Sequence, residues 1–259
     1  MLTTALLVLL VTILLKTSNY LFPNMMFDRP IVAGFIVGLV LGDVKTGIII
    51  GAQLELVFLG VMVIGSSSSA DPLTAAAIAV TFAIKSGLSI NSAVVLGVGL
   101  GYVALAFWVL EPAVAELFNP LIDRYVKRDD HNKFLVSIWT GHFVSVLVTP
   151  LVVFLAVMFG GDLVNNVMAA LPAFVLTGVN AAGTMLPAVG LAMMLSLLWN
   201  RKVAIYFILG FVVMKYLKVD TIFLLVMAAF ISLTGFFGST DNKGKPEQAK
   251  LSEEEVFLK

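Results

Sequence analysis

The sequence predicts an all-α polytopic membrane protein whose transmembrane helices include broken or re-entrant elements. Three observations predict it. Of the 259 residues, 60% are hydrophobic, against about 45–50% in soluble domains. Only 12% are charged, about half the usual share and too few to cover a globule of this size. Apolar runs recur along most of the chain, and mean hydropathy is +1.04. A soluble enzyme and a disordered chain are excluded on this balance. The 16 basic and 16 acidic residues cancel, so there is no nucleic-acid footprint. The absence of cysteine excludes disulfides, Fe–S clusters and thiolate zinc sites. His131 and His142 form no metal-ligand pattern.

The elements follow in order. Leu2–Leu15 is an apolar run ending at Lys16. No basic residue precedes it and no small-residue cleavage site follows it, so a retained first span is expected rather than a signal peptide. Ile31–Gly65 is apolar but interrupted by Asp43-Val-Lys45, Gln53 and Glu55. Leu73–Ile84 is short, Ile90–Leu110 is a full span, and Phe134–Phe159 is another, carrying His142 and Pro150. Leu163–Leu198 is interrupted by Pro172, Asn180, Gly183 and Pro187. Val203–Met214 is short, and Thr221–Phe237 closes a membrane domain expected to cover 1–238. Residues 239–259 read as a polar tail without apolar periodicity. A twelve-residue run makes a helix about 18 Å long, against a hydrocarbon core of about 30 Å. Ile31–Gly42 and Leu73–Ile84 therefore cannot cross alone as straight helices. Irregular backbone at that depth is tolerated only inside protein or along a wet cavity, the setting of transporter binding sites.

Orientation follows from the cations. The loop Asp123–Lys133 holds four basic residues; Arg201-Lys202 and the tail lysines 243, 245 and 250 are the other clusters. The positive-inside rule puts all three in the cytoplasm, with Lys215 and Lys218 on the opposite side of this scheme.

Four polar residues are candidates for binding substrate. Glu55 lies in Ile48-Ile-Ile-Gly-Ala-Gln-Leu-Glu-Leu-Val-Phe-Leu-Gly60, apolar on both sides. A charge at mid-membrane costs about 2.5–3.5 kcal/mol on the mildest scales. It persists where it meets a substrate or a structural partner, Lys45 and Lys85 being the candidates for the latter. Gln53 lies about 200° away round an ideal helix, so either the backbone breaks here or one of the two serves packing. Asp71 follows a run of four serines and precedes Pro72. It reads as a helix N-cap, or as a carboxylate that, with the serine hydroxyls, meets a polyhydroxylated ligand. Asn180, in Thr177-Gly-Val-Asn-Ala-Ala-Gly-Thr-Met-Leu-Pro187, marks either a second unwound element or an interhelical hydrogen bond. The glycine series 34, 38, 42 and the pair 47, 51 line helix faces for close packing. No phosphate-binding loop, zinc-protease motif or serine nucleophile elbow occurs, and no cofactor is expected.

The stretch 28–56, with its Arg29-Pro30 opening, its Leu41-Gly42-Asp43 turn and its Gly51-Ala-Gln-Leu-Glu-Leu56 run, resembles subunit IIC of the mannose-type sugar phosphotransferase system, the mannose, fructose, sorbose and N-acetylgalactosamine group. Gly178–Gly190 is similar to a small-residue run of that family, with Thr184 in place of a glycine. The resemblance implies an elevator-type carrier of a hexose or amino sugar in a bacterial inner membrane, working in an oligomeric complex. Its implied partners are a membrane subunit IID and the cytoplasmic subunits IIB and IIA, which deliver phosphate; the chain has no phosphorylation site of its own. It also implies Gln53, Glu55 and Asp71 as sugar contacts. The family's Pro-Pro-Asp or Ala-Pro-Asp is Ser69-Ala70-Asp71 here, which implies a different loop geometry. The rival expectation from the residues is a stand-alone ion-coupled transporter using Glu55 and Asp71. A scaffold or receptor without transport is the third.

Overall fold

The computed structural model describes residues 1–22, 25–61, 70–217 and 219–242; among them there are helices and no strand. The chain divides into two units, Met1–Leu197 and Leu198–Lys259. Helix α1 spans Leu2–Leu21. Its apolar residues are not all equivalent: Ala5, Val8, Val11 and Leu15 are buried, while Leu6, Leu10 and Leu14 are exposed. That spacing puts the first set on one face.

The short pieces expected from the sequence are real elements. Helix α2 is Pro30–Leu41 and α3 is Val44–Phe58. Between them Gly42 takes a left-handed φ of 88°, its N–H bonding back to the carbonyls of Gly38 and Leu39. This is the Gly-at-C′ stop of a helix. Gly42 thus serves the turn, not the packing face that its place in the glycine series suggested. Asp43 then caps α3, accepting 3.0 Å from the Thr46 N–H and 2.6 Å from the Thr46 hydroxyl. The two helices lie backbone to backbone. A Cβ on Gly34 would stand 2.6 Å from the Gly47 carbonyl oxygen, and one on Gly38 would stand 2.9 Å from Gly47 Cα.

Helix α4, Pro72–Ser86, is buried from Leu73 through Ala83 and packs against α2, α3 and α5. Helix α5 is Ile90–Trp108. The α4–α5 pair also closes through small residues, with Gly97 and Gly101 set against Ala75 and Ala79. The Asp71 N–H donates to the Gly101 carbonyl at 3.1 Å. Gly101 lies about 16 Å along α5 from its start. Helix α4 therefore begins near the middle of an element long enough to cross the bilayer, as a half-helix should.

Helices α6 (Leu110–Glu116) and α7 (Asn119–Lys127) follow α5, and α8 is His131–Val146. Asp130 caps α8, held by the Lys133 N–H and ammonium, and these bonds keep its carboxyl below the usual carboxylate range. Helix α9 runs Val148–Ala170 and packs against α1 and α4, and α10 runs Ala173–Leu198. Two expectations are corrected here. The turn expected near Gly160–Asp162 falls instead at Leu171-Pro172, because Gly160 and Gly161 continue α9. No unwound element surrounds Asn180: α10 is continuous through Asn180, Gly183 and Pro187. Membrane helices tolerate such residues where neighbouring groups satisfy the freed backbone.

The second unit is built of α11 (Arg201–Leu217) and α12 (Thr221–Asn242), whose described side chains are almost all exposed. Helix α12 runs past the expected membrane boundary at residue 238. The rest of the expected tail, 243–259, and the serine run 66–69 lie outside the described residues.

One buried network was not anticipated. Glu111 at the start of α6, Lys16 of α1 and Thr149 of α9 converge. The Lys16 ammonium pairs with Glu111 and donates 2.7 Å to the Thr149 hydroxyl, which itself donates to Glu111. The side chains of Lys16 and Glu111 are only 12% and 8% exposed.

Candidate functional site

The α2–α3 hairpin carries its chemistry at its open end. Gly34 sits opposite Gly51, and Gly38 opposite Gly47. Extending that antiparallel register four to five residues further brings Arg29 level with Glu55. The Arg29 Nε donates to Glu55 Oε1 at 2.6 Å, and a second guanidinium nitrogen completes the ion pair. The Ile31 N–H donates to Glu55 Oε2 at 3.2 Å. Glu55 thus closes the N-terminus of α2, using a donor that has no partner inside that helix, at the positive end of its dipole. The structural partner of Glu55 is Arg29, not Lys45 or Lys85, both of which are exposed on other turns. The side chains of Arg29 and Glu55 are 30% and 21% exposed, so the pair is reachable from outside the packed core.

Gln53 lies half a turn away on the same unbroken helix. Its Oε1 is buried and has no hydrogen-bond partner among the described residues. A buried acceptor left unsatisfied costs about 1–3 kcal/mol, so this oxygen is a candidate for a donor from outside those residues. Asp71 behaves as the N-cap of α4, with Oδ1 accepting 3.3 Å from the Thr74 N–H and Oδ2 accepting 2.7 Å from its hydroxyl.

Asn180 joins helices. Its Oδ1 accepts from the hydroxyls of Ser89 at 2.6 Å and Ser92 at 3.3 Å, and its Nδ2 donates to the Leu176 carbonyl. A turn on, Gly183 lets α10 press on Asn91. Farther along, Gly190 meets the carbonyls of Leu56 and Val57 at the end of α3. The small-residue run of α10 is thus a docking strip leading from the start of α5 to the end of α3. By helix rise, Asn180 stands about 15 Å along α10 from the contact with α3. It also sits at the opposite end of α4 from Asp71, a length of about 22 Å. No two of the four candidates share a hydrogen bond among the described residues.

Arg29 is the functional-site residue that the sequence reading missed as a partner. Its signal was present: once the turn is set at Gly42-Asp43, the glycine register pairs Arg29 with Glu55. Among the described residues no cluster of His, Cys, Asp and Glu could hold a metal ion. Among the described residues, four helices or helix runs are long and apolar enough to cross a membrane, covering Leu2–Asn19, Ile90–Lys127, His131–Gly161 and Ala173–Leu198.

Known proteins match this arrangement. The family described as the PTS system sorbose-specific IIC component matches residues 2–234. The sorbose-specific EIIC component of Lacticaseibacillus casei is 30% identical over 226 residues, 83% of this chain and 80% of that protein. The mannose-specific EIIC component of Escherichia coli is 30% identical over 212 residues, 80% of this chain and 78% of its own length. The Escherichia coli N-acetylgalactosamine permease IIC component 1 is 27% identical over 236 residues, 88% and 87% of the two chains. A solved structure described only as a membrane protein superposes with a TM-score of 0.79 at 26% identity, covering 90% of this chain and 95% of that one. A chain from the cryo-EM complex of the mannose transporter ManYZ with microcin E492 gives 0.57 at 26% identity, covering 91% and 95%. Two such motifs, on the α2–α3 hairpin and on the docking helix α10, within a match over nearly the whole membrane part, lead to one conclusion: this chain is a multi-pass membrane protein belonging to the mannose-type family of phosphotransferase-system IIC sugar-transport subunits.

Proposed function

We propose that this chain carries a hexose or amino sugar inward across a bacterial inner membrane, in a phosphoenolpyruvate-dependent system. A membrane subunit IID completes the carrier, and IIA and IIB supply phosphate to the arriving sugar. The α2–α3 hairpin and the half-helix α4 form the moving, sugar-holding part of an elevator-type carrier. Gln53, Glu55 and Asp71 contact the sugar. Asn180, also a candidate contact, acts in this proposal by holding α10 to α5, because its amide oxygen already serves two hydroxyls.

The observation that carries the proposal is the buried Oε1 of Gln53, unpartnered among the described residues and one half-turn from the carboxylate that Arg29 holds. A sugar hydroxyl is the donor that oxygen lacks. Glu55 then offers a charge-assisted acceptor once a hydroxyl replaces an Arg29 bond. The test uses the chain co-assembled with a IID-type subunit, probed with mannose, fructose, sorbose and N-acetylgalactosamine. Gln53→Leu is expected to weaken binding about tenfold or more. It should leave assembly intact or improve it, since an unsatisfied polar atom is removed. Unchanged affinity would discard Gln53 as a contact.

Glu55→Gln is expected to weaken binding by roughly ten- to thousandfold, one or two charge-assisted bonds at about 1.5–3 kcal/mol each. The yield of assembled complex should fall only modestly, because the stranded Arg29 is partly exposed. Unchanged affinity with collapsed yield would assign Glu55 to the ion pair alone. For orientation, a cysteine placed at Asp129 is expected to escape an impermeant thiol reagent in intact cells. Labelling there would place the 123–133 loop outside.

A further inference from the structure

Helix α5 already spans the hydrocarbon core, since its 19 residues rise about 28 Å. The helical run continues without a long break through α6 and α7 to Lys127, 38 residues in all, about 57 Å if straight. The next apolar run starts at His131. Helix α7 must therefore lie at the membrane boundary, between the end of one crossing and the start of another. It is strongly two-sided. Ile122 and Tyr125 are half-buried where α7 packs on α8. Arg124, Lys127 and Arg128, at i, i+3 and i+4, share one face.

These three cations line a groove of about 440 Å³ together with Pro120 and Asp123. All three are exposed, and among the described residues none of them makes an ion pair. The neighbouring Lys133 differs, being held by Asp130 at 2.7 Å. Asp123 offsets one of the three charges, and Asp129 is exposed beside the groove. Leu121, three positions before Arg124, shares the cation face by helix spacing, and it and Leu117, just ahead of α7, are exposed aliphatic side chains at 42% and 76%.

We propose that this groove binds the headgroup of an anionic phospholipid. The two guanidinium groups offer planar forks to the phosphate oxygens, Lys127 adds a point charge, and the acyl chains lie over Leu117 and Leu121. Unpaired cations with exposed aliphatics at a membrane boundary match a lipid better than a soluble partner. A phosphate ion would use the cations and leave the apolar side chains uncovered. An acidic protein would not require the groove to sit beside a crossing.

The test uses the full-length chain purified in mild detergent, with dioleoylphosphatidylglycerol, dioleoylphosphatidylcholine and inorganic phosphate as probes. Binding is read by native mass spectrometry and by thermal melting. The expected result is preferential, salt-weakened binding of phosphatidylglycerol. The triple variant R124Q/K127Q/R128Q should lose on the order of 100-fold in that affinity. L121S should weaken it as well, and K133Q should leave it unchanged. Helical content by circular dichroism shows that each variant is folded. Equal binding of the two lipids, equal binding by the triple variant, or inorganic phosphate competing as tightly as the lipid would each overturn the proposal. So would a groove that ignores lipid but captures an acidic soluble protein.

Discussion

Glu111→Leu is expected to lower stability by about 3–5 kcal/mol, the usual effect of stranding one member of a buried ion pair. Glu111 joins α6 to Lys16 of α1 and Thr149 of α9, and both charged side chains are almost wholly enclosed. Removing the carboxylate leaves an ammonium whose only remaining described partner in this network is a hydroxyl. Lys16→Met should do comparable damage from the other side. The double variant, Lys16→Met with Glu111→Leu, should recover most of the loss, because two apolar side chains of similar volume need no solvent. Thermal melting of the four proteins in one detergent measures the coupling directly. Single variants that melt like the wild type would show that water or lipid headgroups reach the pair.

Gly47→Leu should abolish assembly of the α2–α3 hairpin. A Cβ at this position would collide with the Gly34 carbonyl oxygen and stand 2.8 Å from Gly38 Cα. Backbone cannot rotate aside as a side chain can, so the helices must separate. Even Gly47→Ala is expected to cost about 1–3 kcal/mol, as overpacked sites do. Separation would also pull Arg29 from Glu55, whose pairing depends on the same register. Gly99→Ala is the control. That glycine has nothing within 4 Å, and alanine favours the helix by about 1 kcal/mol. Yield and monodispersity after extraction read the difference. A Gly47→Leu protein that extracts and melts normally would mean the hairpin does not hold this geometry.

Much of the fold was legible in local sequence. The turn at Gly42-Asp43 and the half-helix opening at Asp71-Pro72 follow from glycine's left-handed conformation, from capping and from length against bilayer thickness. Asp-x-x-Thr occurs at 43–46 and again at 71–74, and both aspartates spend their oxygens on the threonine three residues on. Asp71-Pro72 allowed either a cap or a ligand contact, and in the structure Asp71 caps α4. Gly183 and Pro187 interrupt an apolar run in the sequence and are helical in α10. Glycine and proline carry a penalty that a packed membrane helix can absorb, so local propensity decides less there than neighbours do.

Composition and run lengths alone determined that this chain is a helical membrane protein with short apolar pieces, and its 28–56 motif pointed to the family. Those features depend on residues near one another in the chain. The fate of each buried polar group does not. Lys16 and Glu111 lie 95 positions apart, and Asn180 lies 91 positions from Ser89. Glu55 and Arg29 are 26 apart and meet only because a hairpin folds between them. A polar side chain in an apolar setting must find a partner, and the sequence shows that need without showing the partner. Only packing decided that Glu55 is held by Arg29 and that Asn180 clamps two helices.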